Sequence, residues 1–401
     1  MNSEPRILFL ASPQEAVKEL QRIGADPYGV ESMTPKMSHL NFLLEKIECR
    51  AANILKQEML SMGGDVAVAR GSVSCTIEST DALVIGTRKQ ILKLTEKLSS
   101  QPFGLKEISK NIRTALANLD KENFQIRTPR RLITIGERTL VMGILNVTPN
   151  SFSDGGRFNL PEAAVERALR MEDEGADILD IGGESTRPGS ARIQVEEELD
   201  RVIPVLEKLA GRISIPVSVD TMKAEVAGHA VRAGAEIIND VSALRFDPEM
   251  ARTAAGLGAP VVLMHMRGEP ETMQKGDLSY VSLRGEIVSF LRERVRAAVA
   301  DGIDPDNIII DPGFGFGKSL EDNLKLLKHL REFKILGKPL LIGVSRKAFT
   351  GKVTGAEDSV RLEGGAAAVT AAVLNGANII RVHDVSFMKK TAMMADAVLR
   401  A

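Results

Sequence analysis

Residues 142–157 read MGILNVTPNSFSDGGR. The apolar run 141–145 delivers Asn146 to a polar loop that ends in glycines, and a buried strand handing a carboxamide to a loop is a common way to build an active site. Taken alone, the stretch also suits a strand end at Asn146 followed by an ordinary turn through Thr148, Pro149 and Asn150. The rest of the chain decides between the two, because the same event recurs as far as residue 383.

Seven further apolar runs follow, and nearly every one ends in a residue able to bind or to do chemistry. Run 178–181 leads to Gly182, Gly183 and Glu184, run 217–219 to Asp220, and Ile237 and Ile238 to Asn239 and Asp240. Run 261–264 leads to His265, 308–310 to Asp311, and 340–343 to Ser345 and Lys347; run 379–382 encloses Arg381 and leads to His383. Amphipathic stretches such as 162–174, 195–210, 222–233, 288–300 and 320–333 lie between them. Runs this continuously apolar cannot face water on one side, so the alternation predicts an α/β fold with a parallel sheet covered by helices. A closed (β/α)8 TIM barrel fits best, since residues 129–401 meet the roughly 250 residues it needs and its strand ends share one face. An open doubly wound sheet is the alternative; it would divide these residues between two edges.

Composition frames this reading. The 401 residues are 44% hydrophobic and 26% charged, with net charge −1, as in ordinary globular protein. No long basic block offers an electrostatic footprint for nucleic acid or an anionic membrane, and aromatics at 4% with no Trp remove a base-stacking platform. No run approaches transmembrane length and the start does not resemble a signal peptide, so a cytoplasmic location is expected. Cys49 and Cys75 lack metal spacing and are expected in the core or in strands.

Residues 1–128 are expected to form a separate small α+β domain. The reading places a strand at 6–11, then a helix to Ile23 opened by a capping box of Ser12 and Glu15 with Pro13 at its first position. Helices at 37–47 and 51–62, strands at 66–69, 72–78 and 82–85, and helices from Thr87 and over 105–119 follow. Residues 121–131 read as a linker, and 132–135 with 138–141 as a hairpin entering the barrel. No site assembles here; Arg88, Lys89, Lys93 and Lys97 have the spacing of a solvated helix face.

Within the barrel, DPGFGFGKS at residues 311–319 looks like a phosphate loop, but the position that would hold the first glycine of a P-loop is Pro312. The surviving reading is that its glycines let backbone pass close to a flat ligand anchored by Asp311. Asp220, Asn239 and Asp311 would converge on a heterocycle with alternating donors and acceptors, with Lys347 beside them. Arg381 and His383 alternate on the last strand and can face one way, giving an anion site with Asn146 and Thr186. His265 reads as structural, as do His39, His229 and His329 on stretches read as helical.

These residues carry a resemblance. MGILNVTPNSFSDGGRF, DIGGESTRPGS, VSVDT, IINDVSA, MHMRGEPETMQ, DPGFGFGKSLEDN, GVSRKAFTG and RVHDV stand in the order and spacing of the dihydropteroate synthase family. The resemblance covers 129–401 and implies a TIM barrel that joins 4-aminobenzoate to 6-hydroxymethyl-7,8-dihydropterin diphosphate and releases pyrophosphate. It implies that Asp220, Asn239, Asp311 and Lys347 bind the pterin, that Met264 and Phe316 line its pocket and that Arg381 covers its face. Asn146 would hold Mg2+ on the diphosphate, and Thr186, Arg381 and His383 would contact phosphate oxygens. Loops bearing Asp154 and Arg187 would close over the site, Asp154, Arg187 and Lys347 serving catalysis, and Ser345 with Thr186, Arg187 and Pro188 would shape the aminobenzoate pocket. A homodimer is also implied, with the small-residue stretch 364–372 as one place where helices can pack closely. Asn150 departs from the family's usual Asp, and the N-terminal third lies outside the resemblance. A methyltransferase carrying methyl from a folate to a corrinoid protein shares the barrel and the pterin-binding acids but needs no diphosphate site. A pterin-binding scaffold without chemistry is the non-enzymatic alternative.

Overall fold

The computed structural model describes residues 4–10, 12–148, 160–185, 189–269, 272–273, 278–355 and 362–401. The chain divides into two compact units, Met1–Ala117 and Asn118–Ala401, so the hairpin segment preceding residue 129 belongs with the second unit.

In the first unit, strands β1 (His39–Glu48), β2 (Asp65–Val68) and β3 (Ser79–Thr87) form an antiparallel sheet in the order β1-β3-β2. Helices Pro13–Ile23, Pro27–Met37, Cys49–Leu60, Arg88–Leu98 and Leu105–Leu119 accompany it, and Leu55, Met59, Val84, Ile91 and Leu94 are in its core. The expected α+β character is there. The Ser12 hydroxyl accepts from Glu15 N with Pro13 opening the helix, and Thr87 forms a capping box with Gln90.

Several local expectations are corrected. Residues 6–10 are in neither helix nor strand, and Ile7 and Phe9 lie exposed with no ladder to join. The stretch expected as a helix over 37–47 is β1 from His39 onward, because the nine-residue β3 supplies an antiparallel partner from His39↔Thr87 to Glu48↔Ser79; tertiary pairing overrides local propensity. Residues 72–78 form turns instead of a strand, and Cys75 there is exposed with φ +50°, while Cys49 is buried as expected.

The second unit opens with an antiparallel hairpin of β4 (Phe124–Arg127) and β5 (Leu132–Ile135), not with the expected pairing of 132–135 to 138–141. Thr128 sets its turn, its hydroxyl accepting from the N–H groups of Arg130 and Arg131. The region read as a linker therefore holds a strand. Eight parallel strands follow: β6 (Leu140–Asn146), β7 (Ile178–Gly182), β8 (Val217–Asp220), β9 (Ile237–Asp240), β10 (Val261–Met264), β11 (Ile308–Asp311), β12 (Leu341–Ile342) and β13 (Ile379–Val382). Their order is β11-β10-β9-β8-β7-β6-β13-β12, and a parallel bridge between Ile310 and Leu340 joins the two ends, closing the barrel.

Side chains on a strand alternate between faces, and here the alternation sorts two cores. Val141, Leu179, Ile181, Val219 and Ile238 pack with residues of the surrounding helices. Met142, Ile178, Ile237, Val262, Ile309 and Ile379 cluster separately as the barrel interior, and Phe124, Ile126 and Ile135 of the hairpin belong to that cluster. Two residues further along each strand, the same inward positions become Ile144, Asp180, Asn239, Met264, Asp311 and Arg381. The N-terminal half of the barrel is thus apolar and closed by the hairpin, and the chemistry is gathered at the C-terminal mouth.

Candidate active site

At the mouth, Arg381 donates from Nε to Asp180 Oδ2 at 2.6 Å and from Nη2 to Asp220 Oδ2 at 2.7 Å. Asn239 Nδ2 donates to the same Asp180 oxygen at 3.0 Å. One guanidinium therefore serves two buried carboxylates, and Asp180 Oδ1 and Asp220 Oδ1 find no donor among the described residues. Burial lifts the Asp220 carboxyl to about 7, against the pull of Arg381 and with Asp180 adding to the rise. Gly182 leaves room here: a Cβ on it would lie 3.5 Å from Asp220 Cβ and 3.8 Å from Asn146 Oδ1.

Across the mouth, Asp311 Oδ1 accepts from Gly313 N at 2.7 Å. Burial raises its carboxyl to about 6, while Lys347, Lys318 and Arg381 favour its charge. Lys347 holds its ammonium 4.2 Å from the centre of the Phe316 ring. Phe316 and Met264 belong to one apolar cluster with Met222, Val241, Met266 and Met273. Ser345 Oγ is 3.2 Å from His383 Nδ1 and accepts from His383 N at 3.3 Å.

The structure thus brings Asn146, Asp220, Asn239, Met264, Asp311, Phe316, Ser345, Lys347, Arg381 and His383 to the strand ends of one barrel. Asn150, Asp154, Thr186, Arg187 and Pro188 lie outside the described residues. Among the described residues no cluster of three His, Cys, Asp or Glu side chains could hold a metal ion. Asn146, a neutral oxygen ligand at the end of β6, suits a Mg2+ that keeps most of its coordination to phosphate and water.

Sequence reading missed Asp180. The available signal was a carboxylate inside ILDIG, a run that otherwise has to be buried, in register with the inward positions of β7. Other polar strand ends prove architectural. Lys223 donates to Glu184 at 2.7 Å and also to Glu198; burial opposes its charge, yet the two carboxylates hold the amine above its ordinary range. Asp240 accepts from Ser242 N and Leu244 N, bracing a turn in which Ala243 and Leu244 both have positive φ. His265, buried edge-on to Phe290, is structural as expected.

The glycines of the 311–319 loop also have a different purpose from the expected one. A Cβ on Gly313 would lie 1.9 Å from His265 O, and one on Gly317 2.6 Å from Arg267 O. The close approach they permit is to the segment after β10, with φ values of +73° and +66° that other residues rarely adopt.

A closed barrel with two carboxylates, a carboxamide and a third carboxylate around an apolar floor defines an enzyme site for a flat, N–H-rich ring. Residues 142–383 match the family described as "Pterin binding enzyme". The chain is 48% identical over 266 residues to the dihydropteroate synthase of Synechocystis sp., covering 66% of this chain and 92% of that protein. It is 46% identical over 274 residues to that of Bacillus subtilis, covering 68% and 93%. A probable bifunctional folylpolyglutamate synthase/dihydropteroate synthase of Halobacterium salinarum is 41% identical over 389 residues, 96% of this chain and 46% of that protein, so this likeness extends into the N-terminal unit. Among solved structures, the Xanthomonas albilineans dihydropteroate synthase with 4-aminobenzoic acid has 48% identity and a TM-score of 0.65 over 70% of this chain and 99% of that one. The same enzyme in complex with 7,8-dihydropteroate gives 46% and 0.63 over 69% and 99%. The chain belongs to the pterin-binding enzymes, on their dihydropteroate synthase branch.

Proposed function

We propose that this chain condenses 4-aminobenzoate with 6-hydroxymethyl-7,8-dihydropterin diphosphate, giving 7,8-dihydropteroate and pyrophosphate for folate synthesis. The observation that carries the reading is the pair of buried oxygens, Asp180 Oδ1 and Asp220 Oδ1, without donors among the described residues, with Asn239 donating to the other oxygen of Asp180. Carboxylate oxygens accept, so their complement is a ring that presents amino and ring N–H groups.

In this assignment Asp180 joins Asp220, Asn239, Asp311 and Lys347 in holding the pterin, and Met264 and Phe316 receive its face. Arg381, His383 and Thr186 bind phosphate oxygens. Asp154 and Arg187, which lie outside the described residues, are assigned to catalysis, and Ser345 bounds the aniline pocket. Asn146 would be the protein ligand of a Mg2+ ion, which would supply charge stabilisation to the leaving diphosphate. The C–O bond to diphosphate breaks, the aniline nitrogen forms the new C–N bond, and its proton passes to water, so no strong base is needed. The buried carboxylates favour positive charge on the pterin as the bond breaks.

A homodimer is supported by the last helix, Val385–Arg400, where Phe387, Met394 and Val398 recur at helical spacing and are exposed; light scattering of the purified protein tests it. No helix among the described residues is long and apolar enough to cross a membrane. The reaction is tested by supplying the dihydropterin diphosphate, Mg2+ and 4-aminobenzoate and following pyrophosphate and dihydropteroate together. Equal amounts of both are expected; pterin binding without either product would overturn the reading.

A further inference from the structure

Lys318 ends the glycine loop at the place where a phosphate-binding loop would carry its lysine, and the structure gives it another task. It is 2% exposed. Its Nζ lies 2.8 Å from Gly313 O, 3.0 Å from Phe316 O, 2.9 Å from His265 Nδ1 and 3.4 Å from His265 O. Burial pushes the His265 imidazole down to about 2, with Lys318 adding to the shift, so the ring is neutral; against an ammonium, which can only donate, its Nδ1 is the acceptor. An ammonium has three protons, and the three shorter contacts use them all.

The consequence is geometric. With the Gly313 and Phe316 carbonyls drawn inward to one cation, the N–H of Gly313 is left for Asp311 Oδ1 at 2.7 Å and that of Gly315 for Asn323 Oδ1 at 2.8 Å. Positive φ at Gly313, Gly315 and Gly317 lets the loop coil around Lys318 in this way. The coil sets three groups assigned to the pterin: the Asp311 carboxylate, the Phe316 ring, and Lys347, whose Cδ would be 3.3 Å from a Cβ on Gly315. Burial lowers the Lys318 ammonium to about 7, with Lys347 adding to the fall and the facing Asp311 carboxylate favouring the charge; the two carbonyls and the imidazole nitrogen around Nζ are three acceptors that call for its three protons.

We infer that Lys318 is a positioning residue for the pterin: its buried ammonium is the internal cation that holds residues 311–317 in their binding shape. The inference rests on the pterin reading of the site. Lys318→Met keeps the stem and removes the cation, and Lys318→Gln keeps two N–H donors without the charge. Titration of each with the dihydropterin diphosphate, beside steady-state kinetics and thermal melting, separates the possibilities. Loss of a charge-assisted bond of about 1.5–3 kcal/mol corresponds to a rise of roughly tenfold or more in Kd and KM for the pterin, larger than any change in KM for 4-aminobenzoate. A mere loss of folded protein would lower kcat and leave both KM values alone. A folded variant with unaltered pterin affinity overturns the inference, and so does failure of both variants to fold, since Lys318 would then serve the fold rather than the ligand. Absence of pterin binding by the unaltered enzyme would instead sink the functional reading.

Discussion

Asp311 presents its carboxylate from inside the barrel mouth, and its protonation is linked to both stability and binding. Its folded pKa is raised to about 6 by burial, above the ordinary carboxyl value of about 3.9. A raised folded pKa means that the native state holds the proton more tightly than the unfolded chain. The stability it contributes is present below the unfolded value and is lost as pH rises through about 6. Binding has the opposite sign, because a ring N–H needs the ionised oxygen. The expected result is that kcat/KM for the pterin falls as pH drops through about 6, and that in Asp311→Asn this part of the acid limb is gone along with most of the affinity. Unchanged acid limbs in the two enzymes would remove Asp311 from the pterin site. Asp220 belongs to a tighter arrangement, in which Arg381 serves it and Asp180 together; Asp180 is visible in sequence as a carboxylate hidden within an apolar run, but its partner 201 positions away is not.

The glycine loop after β11 shows what an element adds to its residues. DPGFGFGKS announces close approach, and it is found; the surface approached is the segment after β10, at His265 and Arg267, which no local pattern specifies. Gly313→Ala places a methyl 1.9 Å from His265 O at a φ of +73°. The expected cost is about 2 kcal/mol or more in unfolding free energy, with loss of pterin affinity because Gly313 N also orients Asp311. Chemical denaturation and ligand titration check this, and a variant as stable as its parent would show that the loop shifts freely. The strand β1 gives the converse lesson. Its sequence, HLNFLLEKIE, carries apolar residues that suit a helix as well as a strand. The choice is made by β3, forty residues further along, which pairs with it on both sides of a bulge between Leu44 and Ile47.

At the scale of the whole molecule, the barrel contains what its closure requires within Asn118–Ala401. Its floor is the β4–β5 hairpin, whose Phe124, Ile126 and Ile135 cluster with Leu140, Met142 and Ile178. Residues 118–401 produced alone are therefore expected to fold and to keep synthase turnover, as suits relatives that match the barrel region over more than nine-tenths of their own length. A version starting at residue 129 loses β4 and opens that floor; removing a buried aromatic such as Phe124 alone costs about 3–5 kcal/mol. Melting temperatures and activities of the two fragments check the pair of expectations, and equal stability would show that the hairpin is dispensable.

The eight apolar runs, their polar endings and the helical stretches between them are properties of the sequence, and they specify a parallel sheet covered by helices because continuous apolar strands have to be covered on both faces; its closure is seen in the bridge between Ile310 and Leu340. The alternation also specifies which residues face inward, since side-chain direction has a period of two along any strand. Tertiary structure decided the rest: the hairpin that closes the floor, the conversion of residues 39–48 to a strand, the service of one arginine to two aspartates, and the folding of Lys318 back onto its own loop. Each of these depends on a partner distant in sequence, and a local pattern fixes what a residue needs without fixing which neighbour supplies it.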